Sequence, residues 1–403
     1  MEMLEELLTE YEMSRSFKNN DGTYNRLRKP TETVEVDTWG EAETKPISEI
    51  NELLMRCLED KASDLHIAVG APPKYRVFGE LRPIPGYSKI TPQQSEACLK
   101  KILDDEQVKH FDLEGDLDLA YSIPKVGRFR VNLYKQRGTC AGVFRILNTV
   151  IPSTRDLNLP ASVVKLIEKK RGLVLVTGPT GSGKSTTLAS LINEINKRYR
   201  KNIITLEDPI EYTHKHDMCN ISQREIGVDS KNFASALRAS LREDPDVILV
   251  GEMRDFETIS TAISAAETGH LVFSTLHTIG ASATVDRIID MYPAKQQGQA
   301  RSQLAQVLEG VISQQLVPLA SGKGRVAAFE VMTSTIAIRN LIREGKIEQI
   351  PATMQTSSKD GMQLLDDNLM KLVRDGAITS DTALEFAVNQ KQVLDKLKTG
   401  GRY

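Results

Sequence analysis

Gly178-Pro179-Thr180-Gly181-Ser182-Gly183-Lys184-Ser185 narrows the fold more than any other segment, because it satisfies G-x-x-x-x-G-K-[ST] in the setting that pattern requires. The apolar run GLVLVT (172–177) enters it as a strand, and TTLASLINEINKRYR (186–200) leaves it as a helix. The glycines allow backbone N–H groups to curl around phosphate oxygens at the positive end of that helix. Lys184 then reaches the outer phosphates, and the Ser185 hydroxyl is placed to ligate Mg²⁺. With Thr186, these residues are the candidate nucleotide contacts.

Three further apolar runs follow, NIITLED (202–208), DVILVGE (246–252) and HLVFSTL (270–276), each succeeded by a helical pattern. Near-continuous apolar strands alternating with helices predict a parallel sheet covered on both faces. Ligands in such sheets lie outside the carboxyl ends of the strands, so acids at those ends are candidates for chemistry. Glu207, Asp208 and Glu211 follow one strand, and each also suits a turn or helix cap. Glu252 closes the buried VILVG strand, where an acid has few structural reasons to be. Acids in this position hold Mg²⁺ directly or through water, and orient the attacking water. His277, delivered by the next strand, is placed to sense the γ-phosphate. His214 and His216 have no cysteine or histidine partner at ligand spacing and are expected on the surface.

The rest of the chain divides by pattern. Residues 1–45 begin with Leu4, Leu7, Leu8 and Tyr11 on one helical face and continue as a polar stretch holding Trp39, the only tryptophan. Residues 46–150 mix helices with strands in an antiparallel α+β unit, with YRVFGEL (75–81) read as one strand. IPSTRDLNLP (151–160) is a proline-bounded linker, and 161–290 is the α/β core. Residues 291–403 are expected to be helical, with Leu304, Val307, Leu308, Val311, Ile312 and Leu316 as one continuous stripe.

Composition excludes several classes. The 52 basic residues nearly cancel the 54 acidic ones, leaving a formal net charge of −2, against direct nucleic-acid binding. No apolar run approaches the roughly 20 residues of a membrane span, and the acidic MEMLEELLTEYEM start is unlike a signal peptide. The expectation is therefore a cytoplasmic protein. Cys57, Cys98, Cys140 and Cys219 form no CxxC pair and are expected to be reduced, packed thiols.

The chain resembles the type II/IV secretion and type IV pilus ATPases, most closely the pilus retraction (twitching motility) ATPases. The resemblance rests on GPTGSGKST (178–186), ITLEDPIEYTHKH (204–216), LREDPDVILVGEMRD (241–255) and AETGHLVFSTLHT (266–278) in that order. Upstream, ASDLHI (62–67) and GRFRVNLYKQRG (127–138) are similar to the family's PAS-like N-terminal domain. The match spans about residues 46 to 390. It implies a RecA-like ATPase core with a PAS-like α+β domain, assembled as a homohexameric ring that hydrolyses ATP with Mg²⁺. By the same resemblance Glu211 is the general base, Glu252 the Walker B acid, and His277 with His270 the His box. Arg128, Arg130 and Arg145 are the N-terminal arginines that meet transition-state charge. AIRNLI (337–342) is similar to the helix of retraction ATPases; by pattern alone it packs Ile338, Leu341 and Ile342 and exposes Arg339. The absence of a tetracysteine zinc site favours retraction over pilus assembly or secretion. An inner-membrane platform protein, met at the cytoplasmic face of that membrane, is the implied partner. Residues 1–45 have no counterpart in the compact retraction ATPases.

Overall fold

The computed structural model describes residues 45–398 apart from Phe78, Lys125, Asn148 and Thr149. The helical face expected at residues 4–11, and Trp39, lie outside them. Two sheets organise the rest. The first has six antiparallel strands: β1 (Asp64–Ile67), β2 (Lys74–Val77), β3 (Glu80–Pro83), β4 (Asp116–Ile123), β5 (Gly127–Gln136) and β6 (Thr139–Leu147), in the order β3-β2-β1-β6-β5-β4. The single strand expected over 75–81 is instead the hairpin β2–β3. Its turn contains Gly79 at φ 87°, a conformation that costs glycine little.

Alternation along β5 decides which side chains this sheet offers outward. Phe129, Val131 and Leu133 are fully buried, against Leu53, Leu54, Leu65, Phe111 and Phe144. Arg128 and Arg130 therefore share the opposite face. Helices Pro92–Lys100 and Asp105–Glu114 start at capping boxes, Thr91 with Gln94 and Asp104 with Gln107.

The second sheet has seven strands: β7 (Gly172–Thr177), β8 (Asn202–Glu207), β9 (Asn220–Glu225), β10 (Val247–Val250), β11 (Leu271–Leu276), β12 (Leu308–Pro318) and β13 (Arg325–Thr333). Their order is β13-β12-β7-β11-β10-β8-β9, parallel except for the antiparallel pair β12–β13. β7 shows why its sequence is apolar throughout. Leu173 and Leu175 pack with helices Phe256–Glu267, Ala281–Asp290 and Gln297–Val307. Val174 and Val176 enter the other cluster, with Leu188, Leu191, Ile192 and Ile195 of helix Lys184–Arg198.

The helical stripe expected across 304–316 breaks at Val307, where the helix ends and β12 begins. β12 carries the β-branched Val311, Ile312 and Val317, and residue 310 has no room for a side chain. A Cβ there would stand 2.9 Å from Leu166 Cδ1 and 3.2 Å from the Met332 carbonyl oxygen. A strand passing this close to its neighbours suits the segment better than a helix. The sheet consequently runs well past residue 290, and an uninterrupted run of helices begins only at Ile336.

Arg339 is also turned inward, not exposed. Its guanidinium donates to the carbonyls of Ala305 and Gln306 at the end of helix Gln297–Val307, and pairs with Glu309 at 2.8 Å. It thus satisfies carbonyls that a helix end leaves unpaired. On Arg339's own helix, Ile336–Glu344, the large apolar side chain left exposed is Ile336, at 80%. All four cysteines are free and buried. Among the described residues no helix is long and apolar enough to cross a membrane.

Phe273 on central strand β11 is fully buried in the cluster under helix Lys184–Arg198. Phe273→Ala is expected to cost about 3–5 kcal/mol, read from the urea midpoint. A loss below about 1 kcal/mol would mean that the layer collapses around the cavity.

Candidate nucleotide site

β7 ends at Thr177 and the chain turns through residues 178–183 into the fifteen-residue helix Lys184–Arg198. Gly178, at φ 141°, and Gly183, at φ 89°, hold conformations that side chains resist. Space forbids side chains as well. A Cβ at Gly178 would stand 2.2 Å from the Gln314 carbonyl oxygen, and one at Gly183 2.8 Å from Gln314 Nε2. The loop is thus a backbone cradle at the positive end of a helix. Lys184 Nζ donates to the carbonyls of Gly178 and Pro179, at 2.8 and 3.0 Å. Burial pushes the Lys184 ammonium below its ordinary value, opposed by the carboxylates of Glu252 and Glu211.

A cleft of about 520 Å³ opens over this loop. Thr180–Thr186, Glu207, Asp208, Glu211, Glu252 and His277 all line it. Gly178 and Pro179 form the entry to the loop beneath. Glu252 lies just beyond β10, its side chain 13% exposed, with Arg254 Nε at 2.7 Å and His277 Nε2 at 3.4 Å. The parallel register explains the meeting: Val250 is level with Ser274, so residues a step or two beyond each strand end converge.

Glu211 is exposed on the loop after β8, and β9 fixes the backbone on both sides of it. Glu225 accepts from the Ile210 N–H at 3.1 Å. Gln223 donates to the Tyr212 carbonyl at 2.8 Å and accepts from the His214 N–H at 2.7 Å. The Tyr212 hydroxyl meets Thr186 Oγ1 at 2.9 Å, tying the same loop to the first turn of the phosphate-loop helix. Glu207 accepts from the Thr205 hydroxyl at 2.6 Å and from Gln223 Nε2 at 3.0 Å. Burial nevertheless pushes its carboxyl above the usual range, because desolvation of the charged form outweighs those bonds.

The three arginines expected at the site are not gathered there. Arg130 lines the cleft. Arg128 is paired with the buried Glu225, and Arg145 with Asp64 at 3.0 Å on the first sheet. His270 precedes β11, at the end of the sheet away from the loop, and its Nδ1 lies 2.9 Å from the Ala265 carbonyl. Six residues of strand, about 20 Å, separate it from His277. His214 is half-buried rather than on the open surface. It lines the cleft, and burial lowers its pKa to about 4. His216 is exposed, with its Nδ1 accepting from the Ile221 N–H.

Sequence reasoning missed Gln223, Glu225, Gln314, Tyr212 and Arg325. The first two sit in NISQRE, a polar edge strand with little alternation to mark it. The polar run Ser313-Gln314-Gln315 between the apolar Val311-Ile312 and Leu316-Val317 was the available signal for the third.

The donor set fits a nucleotide with its magnesium ion. Ser182 Oγ is buried without a hydrogen-bond partner among the described residues, and the glycine cradle leaves backbone alone facing a ligand. Ser185 and Glu252 supply the oxygen donors a hard cation takes. Fold and site together define a P-loop nucleotide-binding protein of the α/β class.

A family model described as type II/IV secretion system protein matches residues 41–385. The chain belongs to that family. It is 46% identical over 339 residues to the type IV pilus retraction ATPase PilT of Pseudomonas aeruginosa, covering 84% of this chain and 98% of that protein. It is also 46% identical over 321 residues to a twitching motility protein of Neisseria gonorrhoeae, covering 80% and 86% of the two chains. A crystal structure of the pilus retraction motor PilT with bound ADP superposes with a TM-score of 0.81 at 45% identity, over 86% of this chain and 99% of that one.

Because burial favours its protonated form, Glu207 contributes fully below the ordinary carboxylate range and loses that contribution as pH rises through its raised folded value. Glu207→Gln keeps an oxygen for Thr205 and Gln223. Its thermal midpoint should therefore gain on wild type as pH rises from about 4 to about 9. A difference that stays flat across that interval counts against a buried, proton-holding carboxyl.

Proposed function

We propose that this chain is an ATP-hydrolysing motor subunit that drives retraction of type IV pili and so powers twitching motility. The carrying observation is the cleft that brings Lys184, Glu211, Glu252 and His277 over one phosphate loop. Similarity to retraction ATPases along most of the chain supports the biological setting. In this reading the subunits form a homohexamer at the cytoplasmic face of the inner membrane. The ring passes its load to a membrane platform protein and makes no direct contact with nucleic acid.

The reaction is attack of water on the γ-phosphorus, with cleavage of the bond to the β-bridging oxygen to give ADP and phosphate. Lys184 and the loop amides hold the phosphate oxygens, where the charge of the reacting group is spread. Glu211 orients the water and takes its proton, standing on a loop that β9 clamps at Ile210, Tyr212 and His214. Ser185, with Glu252 directly or through water, would hold magnesium, which when bound neutralises charge on the phosphates. Glu207 and Asp208 complete the wall beside Glu211. His277, beside Glu252, registers whether the γ-phosphate is present.

Arg130 is the N-terminal arginine in position to meet transition-state charge. Arg128 joins it only after leaving Glu225 of the second sheet, which makes movement of the first sheet part of the cycle, and Arg145 joins it only after its side chain leaves Asp64 on its own sheet.

Glu211→Gln, which removes the general base, should lower ATP turnover by about 10²–10⁴-fold while ADP still binds in a calorimetric titration. In cells carrying that variant alone, abundant but static surface pili are expected by microscopy. Bald cells would instead assign the motor to pilus assembly, and unchanged piliation to another machine.

A further inference from the structure

We infer that Gln314 is a positioning residue for nucleotide binding, which sets the phosphate loop in its anion-holding shape from a neighbouring strand. The inference rests on the nucleotide reading of the loop and extends it to a residue outside the cleft. Gln314 lies on β12 and is 3% exposed. Its Nε2 donates to the Ser182 carbonyl at 2.7 Å, and its Oε1 accepts from the Thr187 hydroxyl at 2.7 Å. Its main-chain oxygen fills the space where a side chain at Gly178 would stand. One residue therefore touches the loop at its entry, at its crest and one turn into the helix that follows.

The chemistry singles out an amide. The two sites to be satisfied are a carbonyl and a hydroxyl, and a primary amide presents a donor and an acceptor at fixed separation. Glutamate would set a second acceptor against the Ser182 carbonyl, and an apolar residue would leave that buried carbonyl unpaired. Peptide planarity then carries the effect to the ligand side. In a trans peptide the C=O and the following N–H point in opposite directions. Holding the Ser182 oxygen toward β12 aims the Gly183 N–H away from β12, on the side of the loop that lines the cleft. The Thr187 contact fixes the same loop at the first turn of its helix. Gln314 touches no substrate, so its contribution is equal in ground and transition states and falls on affinity.

The test is calorimetric titration of the full chain with ADP and Mg²⁺, alongside steady-state ATP hydrolysis and thermal melting. Gln314→Met keeps the length of the side chain and removes both hydrogen bonds. It should weaken ADP binding about tenfold, as expected for two bonds of ordinary net worth, and raise the KM for ATP similarly. The kcat should change less than about threefold. Thr187→Val removes one bond and should show part of the loss, whereas Thr187→Ser keeps the hydroxyl and should follow wild type. In the double variant Gln314→Met with Thr187→Val the losses should fall short of adding, because both act through one contact.

A lower melting point with unchanged ADP affinity assigns Gln314 to packing alone and overturns the inference. So does a fall in kcat at constant affinity, or strict additivity in the double variant. Should Gln314→Met fail to fold, Thr187→Val decides, since unchanged ADP affinity there has the same force. Failure of wild-type protein to bind ADP would instead remove the nucleotide reading beneath.

Discussion

Everything at the site depends on a contact too close for a side chain, the approach of the β12 backbone to Gly178. With the Gln314 carbonyl 2.2 Å from the position a Cβ would take, the chain can turn there only as glycine. That turn sends the backbone from the central strand into a helix whose first N–H groups have no partners within it. The helix in turn buries Leu188, Leu191, Ile192 and Ile195 against the sheet, so the cradle is rooted in the same core that stabilises the domain. Binding geometry and fold stability share their residues here.

The second sheet supplies the reactive groups by a simple rule. Parallel strands all end on one side, so side chains just past β8, β10 and β11 converge without any of the three being near the others in sequence. The antiparallel first sheet has no such common end. It contributes through alternation, which places Arg128 and Arg130 on the face of β5 away from its own core. One reaches the cleft, and the other ends on a carboxylate of β9.

Much of this was legible in the sequence where one local pattern has one physical meaning. The phosphate loop between a strand and a helix is such a case, and so is an acid closing the buried VILVG strand. Legibility failed where a pattern serves two structures. The apolar positions from Leu304 to Leu316 suit a helical stripe, yet four of the six lie in β12, where the close approach at Gly310 decides for a strand. It failed again for partnerships, because no spacing announces that Arg339 turns inward to helix-end carbonyls or that Arg145 is held by Asp64. Glu225 and Gln223, which hold the Glu211 loop, lie in a polar edge strand that leaves no periodic trace.

The bond between Thr187 and Gln314 spans 127 positions of the chain. During synthesis the loop is therefore made long before the strand that braces it. At roughly 5–20 residues per second, some 6–25 seconds separate the two. Through that interval the loop and its helix exist without β12, and the contact that closes around them is among the more distant in the domain. The brace on the loop is thus acquired late, when β12 and β13 join the sheet, rather than built up strand by strand.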